Sequence, residues 1–458
     1  DFVVLDTWDG AMGEYTIRVI YATLFPFARG ERDVENRLQP GAVTDFIAYV
    51  FVPLIQETWH TQLEEWGFGD PIHREWDGDH VVEIIVTPPH LALFDGTGPY
   101  TVFVDAQREP YPERRIWWPS SSNNYWAYDL LPNGYKMMFA HEFFHLAQWN
   151  VLLSTGQPVN FWQNVFIEAQ AGFAPSAQYP EIEIEERHVI RDVSEGRVAN
   201  RFLSGRLNSS YAALELERVY KYDAGLYWRF LYEAHHDMRV LRLALEEMTR
   251  HPDLDIVTAL DAVMDRALAR VDGPFPDFEA SLAAFARANY GLRLENGRCE
   301  STELSECGGF YFDPKDVYVD PPAEAELAYD GSPLTYSGNV PASYGMDFIE
   351  VGLEPGTHDQ PLTITFRGEG EEARFSVQLW RLGPGLAKPR ALTPAPEVVL
   401  RNEEGAYVYR IEPDEDVTYY RLALIITRLD PDEAKDPAGN YSIILNSSPP
   451  GSSNPATG

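Results

Sequence analysis

The chain has 458 residues, 45% of them hydrophobic and 23% charged, the mix of a folded globular protein, which excludes wholesale disorder. Its 36 basic and 71 acidic residues leave a net charge of -35, and that field repels phosphate backbones and anionic lipid, so nucleic acid and membrane surfaces are poor partners. The length suggests about two or three domains, with enough chain to build a core unaided. Only five of the basic residues are Lys. An acidic, Arg-rich surface suits an exposed, salt-tolerant protein, and high-GC codon usage produces the same bias.

The first part of the chain mixes strand and helix patterns. Residues 15–21 (YTIRVIY) alternate β-branched and aromatic side chains and predict a strand. Residues 45–65 carry apolar positions at three- and four-residue spacing, the mark of a helix with one apolar face. Strands are expected again at 81–86 and 100–104, and a Pro- and Trp-rich loop at 110–125. From about residue 134 the period becomes helical: 135–152, apolar nearly all round with Asn133 as cap, then 161–174, 214–235, 240–250, 256–271 and 277–290.

Cys299 and Cys307 enclose seven residues of a polar turn. Such a pair reads as a local disulfide, which persists outside the reducing cytosol, or as two free thiols. The chain starts at Asp1 with no basic and apolar leader, as a mature or trimmed form would. Its longest apolar stretch, 46–55, is too short to span a bilayer. The expected location is extracellular, either secreted or at the cell surface. Residues 313–333 are Pro- and Asp-rich, a candidate linker. Beyond it, strands are expected at 347–352, 362–366, 375–382, 398–400, 406–411, 418–427 and 441–445, at the spacing of a β-sandwich. The polar residues 447–458 predict a flexible tail. The expected organisation is therefore α+β. A first domain over 1–322 is strand-bearing to about 133 and helical after it, and an all-β sandwich follows over 323–446.

Chemistry is concentrated in His141-Glu142-Phe143-Phe144-His145, an HExxH pattern. On a helix, residues four apart share a face, so both imidazoles reach one ion and the intervening carboxylate lies beside them. A chain of this length and composition shows the pattern by chance about 0.02 times. Here it lies in a strongly apolar helix, where two His and a Glu cost several kcal/mol to bury unless a metal or hydrogen-bond partners compensate. A catalytic zinc site needs a third protein ligand and an open position. Gln148 and Val151 stand where HExxHxxGxxH would need Gly and His, so a metzincin is excluded. Glu168 is the single carboxylate between His145 and Glu181, 23 residues past His145 in an otherwise uncharged helix, and is the expected third ligand.

These residues resemble the gluzincin zinc metallopeptidases, the thermolysin-like group with HExxH and a downstream Glu. The likeness is to secreted bacterial metalloproteases that read AHEFFH and then a Trp-bearing helix with an E-A or E-G pair, here 140–145 and Glu168-Ala169. The stretches 222–225 (YDAG) and 285–290 (FARANY) extend it, over roughly 15–290. The resemblance implies a strand-bearing half, a central zinc helix and a helical half. It implies zinc on His141, His145 and Glu168, with Glu142 as general base. It also implies a downstream donor for the oxyanion, for which Tyr222 is the best placed by chain order; a core Tyr stripe with Tyr211, Tyr220, Tyr227 and Tyr232 is the other reading. Gly172 replaces the Asp that thermolysin-like enzymes often place four residues after the ligand Glu, so the partner that orients a zinc His must come from elsewhere. No Gly-x-Met-Glu-Asn sequence precedes the motif, which disfavours exopeptidase action. The expected function is a secreted endopeptidase acting on protein or peptide substrates. The alternative is a catalytically weak, peptidase-like surface-binding protein whose sandwich does the work. Asp-rich turns at 414–416 and 430–436 offer oxygens to calcium without matching an EF-hand, or are solvated acidic loops.

Overall fold

The computed structural model describes residues 5–22, 47–70, 74–76, 78–87, 115–119, 134–154, 163–179, 225–250, 256–295, 324–340, 344–357, 360–369, 374–382, 400–401, 406–411, 421–429 and 439–447. Both helices and strands are present, as an α+β chain requires. The elements are β1 (Leu5–Met12), β2 (Tyr15–Ala22), α1 (Val52–Trp59), β3 (Arg74–Trp76), β4 (Asp79–Thr87), β5 (Arg115–Pro119), α2 (Gly134–Ser154), α3 (Gln163–Gln178), α4 (Gly225–His235), α5 (Arg239–Arg250), α6 (Ile256–Leu268) and α7 (Phe278–Glu295). They continue as β6 (Ala325–Tyr329), β7 (Leu334–Asn339), β8 (Met346–Leu353), β9 (Leu362–Gly368), β10 (Phe375–Leu382), β11 (Leu400–Arg401), β12 (Ala406–Ile411), β13 (Arg421–Arg428) and β14 (Asn440–Ser447). Among the described residues no helix is long and apolar enough to cross a membrane.

The chain divides into two compact units with interleaved segments, Asp1–Glu186 with Asp237–Pro252, and Arg187–His236 with Asp253–Gly458. In the first unit β1 and β2 form a hairpin, with Gly13 at positive φ in its tight turn, a conformation that glycine adopts without steric cost. β2 runs parallel to β4, and the far edge of β4 pairs with β3 at one end and β5 at the other. The sheet buries Ile17, Val19, Val82 and Ile84. α1 is flanked by π-helical turns, Ile47–Phe51 and His60–Glu65. Aromatic rings join α1 and the π-helical turn before it to α2: Trp59 lies 6.2 Å from Phe143 and Phe51 lies 5.2 Å from Phe139. Phe68, in the segment that follows α1, lies 4.7 Å from Phe144. These large side chains dominate the burial around α2, at about 1.5–3 kcal/mol for each fully buried residue. α5 belongs to this unit because its buried face, including Val240, Leu241, Ala244 and Leu245, packs against α2.

In the second unit, one sheet has the order β10-β13-β8-β6 and another the order β11-β12-β9-β14-β7. Side chains of both sheets share one apolar cluster, including Ile349, Val351, Phe366, Leu424, Tyr441 and Ile443. Helix α7 packs on the β10 and β13 side of the first sheet. Tyr290 of α7 donates its hydroxyl to Glu350 of β8 at 3.1 Å, and Gln378 of β10 donates its amide to the Ala283 carbonyl at 2.7 Å. The strand patterns follow from these layers. β13 (RLALIITR) is buried at every position after Arg421 because both its faces are covered, whereas β9 and β14 alternate buried and half-buried positions.

Several expectations need correction or lie elsewhere. The loop expected over 110–125 contains β5, paired in parallel with β4. The linker expected over 313–333 contains β6, paired in parallel with β8. Both errors have the same cause: a short strand held in place by a distant partner carries little local pattern. Helices α6 and α7 fall in the same compact unit as the sheets that follow them. The expected strand at 100–104, residues 214–224, Cys299, Cys307, both Asp-rich turns and residues 448–458 lie outside the described residues.

Candidate metal centre

Helix α2 carries the motif at its middle. From Phe139 to Gln148 every side chain is buried except that of Glu142, which is half-buried. A helix that is apolar all round is interior, and the two imidazoles go inside with it. His141 is 6% exposed and His145 is 3% exposed. Their rings meet edge to face with centroids 4.8 Å apart, and their Nε2 atoms are 3.2 Å apart. Two nitrogen ligands on one tetrahedral zinc, each about 2.0–2.1 Å from the ion, are separated by about 3.3 Å. The imidazole pair therefore fits two of the positions around such an ion. Glu142 sits on the same turn and is the half-buried side chain of this stretch.

The other face of the His pair is held by amides. His145 Nδ1 and Gln148 Oε1 are 2.9 Å apart. Gln148 Nε2 donates to the Ile167 carbonyl at 3.0 Å and to Gln170 Oε1 at 3.1 Å. Gln170 Nε2 donates to the Leu241 carbonyl at 3.2 Å. Both Gln residues are fully buried. A second amide cluster grips α2 beside His141: Gln62, on the π-helical turn after α1, donates to the Ala140 carbonyl at 2.9 Å and to Gln178 Oε1 at 2.9 Å. Buried amides with satisfied donors fix the height and rotation of α2 against α1, α3 and α5 more sharply than apolar contact does.

Glu168 lies on α3, directly after Ile167, whose carbonyl Gln148 holds. Its side chain lies outside the described residues, and Tyr222 lies outside them entirely. Among the described residues His141 and His145 come together, and no group of three or more His, Cys, Asp or Glu that could hold a metal is formed. Of the tyrosines read as an alternative stripe, Tyr227 is core. Its hydroxyl meets Ser281 Oγ at 2.6 Å, and burial pushes its phenol well above the ordinary range.

Gln148 and Gln170 were not singled out by sequence reasoning as functional. Gln148 entered only as the residue that breaks the metzincin pattern. The available signal was an uncharged polar residue three positions after the second His, inside a helix that is otherwise apolar. No model of a known protein family matches this chain, and no curated protein sequence matches it.

Proposed function

We propose that the chain is a zinc-dependent endopeptidase of gluzincin type that acts outside the cell on protein or peptide substrates. One observation carries this reading: two buried imidazoles of an HExxH motif face each other through Nε2 at 3.2 Å, the spacing of two ligands on one zinc ion. In this reading the first unit belongs to a thermolysin-like catalytic domain. The two sheets with a common apolar core form a β-sandwich accessory to it.

When bound, zinc supplies Lewis acidity that polarises a scissile carbonyl and lowers the pKa of a water molecule. His141 and His145 would hold the ion through Nε2, with Glu168 as the third ligand. Glu142 takes the proton of the attacking water and returns it to the leaving amine. Tyr222 donates its phenol to the developing oxyanion. The apolar surroundings of α2 keep competing water away from the imidazoles and strengthen their attraction to a cation.

Elemental analysis of the purified chain after reconstitution at neutral pH, together with a casein or peptide-library assay, tests the proposal. The expected result is about one zinc per chain and internal cleavage of peptide bonds. Absence of metal overturns the zinc reading. Zinc without hydrolysis favours the peptidase-like surface-binding protein instead.

A further inference from the structure

The amide chain behind His145 has a direction that two backbone carbonyls impose. A carbonyl oxygen only accepts. The end of Gln148 facing the Ile167 carbonyl must therefore be its NH2, and the end of Gln170 facing the Leu241 carbonyl must likewise be its NH2. Gln170 then presents its oxygen to the second hydrogen of Gln148. Gln148 presents its oxygen to His145 Nδ1, which can make that contact only as a donor. Turning either amide over would set oxygen against oxygen at about hydrogen-bond distance, with no proton between them.

We propose that Gln148 is a positioning residue that locks His145 in the Nδ1–H tautomer and aims its Nε2 lone pair at the metal position, with Gln170 and the Leu241 carbonyl fixing the orientation of Gln148. The purpose of the lock rests on the zinc reading, whereas the hydrogen-bond geometry does not. Two nitrogen lone pairs cannot face each other at 3.2 Å without a proton or a cation between them. With His145 unprotonated at Nε2, the metal-free protein must supply that proton from His141. A neutral amide suits the Gln148 position because it must accept from an imidazole and donate twice. A carboxylate would accept from His145 but would repel Ile167 O and Gln170 Oε1. The partner of His145 thus lies on α2 itself, three residues further along the helix.

Long-range proton–nitrogen NMR of metal-free, histidine-labelled protein at mildly alkaline pH reads the tautomer directly, with His145 assigned by its loss in His145→Gln. The expected signature is Nδ1–H at His145, lost or mixed in Gln148→Met, which keeps length and packing. Chelator competition should show Gln148→Met binding zinc about 10- to 100-fold more weakly. An Nε2–H signature at His145 in the unmodified chain overturns the proposal. So does a folded Gln148→Met with unchanged tautomer and unchanged zinc affinity. If Gln148→Met does not fold, the tautomer of the unmodified chain decides. If the unmodified chain takes up no zinc, the peptidase proposal fails and the tautomer measurement still decides this one.

Discussion

The hydroxyl of Tyr290 on α7 donates to the buried carboxylate of Glu350 on β8 at 3.1 Å. The same carboxylate lies 3.5 Å from Arg421. A helix from the stretch expected to be catalytic is thus bonded through a buried polar contact to the sheet expected to be separate. A chain ending at Pro322 leaves the sheet-facing side of α7 uncovered, including Tyr290 and the surface that meets Trp380 and Phe348. It should aggregate or unfold without a cooperative transition. Tyr290→Phe in the full chain should lower stability by about 1–3 kcal/mol by urea denaturation, because Glu350 loses a buried donor. A soluble, cooperatively folded chain ending at Pro322 would show that α7 does not need the sheet.

Glu142→Gln separates binding from chemistry. The amide keeps the size of the carboxylate but cannot take a proton from water. Zinc content should be unchanged, and kcat should fall by about 100- to 10,000-fold. Steady-state kinetics beside elemental analysis checks this, and full activity in the variant removes Glu142 from the chemistry.

Glu168→Ala should lose the metal. Two imidazoles alone hold zinc weakly, and a third deprotonated ligand completes a catalytic site. Zinc retained at the level of the unmodified chain would mean that another residue supplies the third position. Removing zinc from the unmodified chain with a chelator should abolish hydrolysis, and adding zinc back should restore it.

Tyr222→Phe should reduce kcat by about ten- to a thousand-fold and leave KM nearly unchanged, because the lost bond forms only as charge develops on the substrate oxygen. Tyr227→Phe is the contrasting variant. Its hydroxyl is committed to Ser281 inside the helical packing. The change should cost about 1 kcal/mol of stability and leave turnover alone. Equal loss of kcat in both variants would remove the special role of Tyr222.

The pairing of His141 with His145 was legible from sequence because it needs only the period of a helix. Residues four apart share a face whatever packs around them. The long helices and the strands β8, β9, β10, β13 and β14 were legible for a similar reason, since each carries its own hydrophobic period. β5 and β6 were not, because each is a strand only by virtue of pairing with β4 or β8 from far along the chain. The grouping of α5 with α2, and of α7 with the sheets, was equally hidden. An apolar helical face announces that it will be buried but not what will bury it.

Local sequence determined that two imidazoles and a carboxylate would lie on one turn of an interior helix, since rise and rotation per residue are set by the backbone. Tertiary packing alone decided what orients Gln148, the partner of His145 on the same helix. Gln148, Gln170 and Leu241 lie on three different helices, and a hydrogen bond exists only when packing has brought donor and acceptor to about 3 Å with the right line between them.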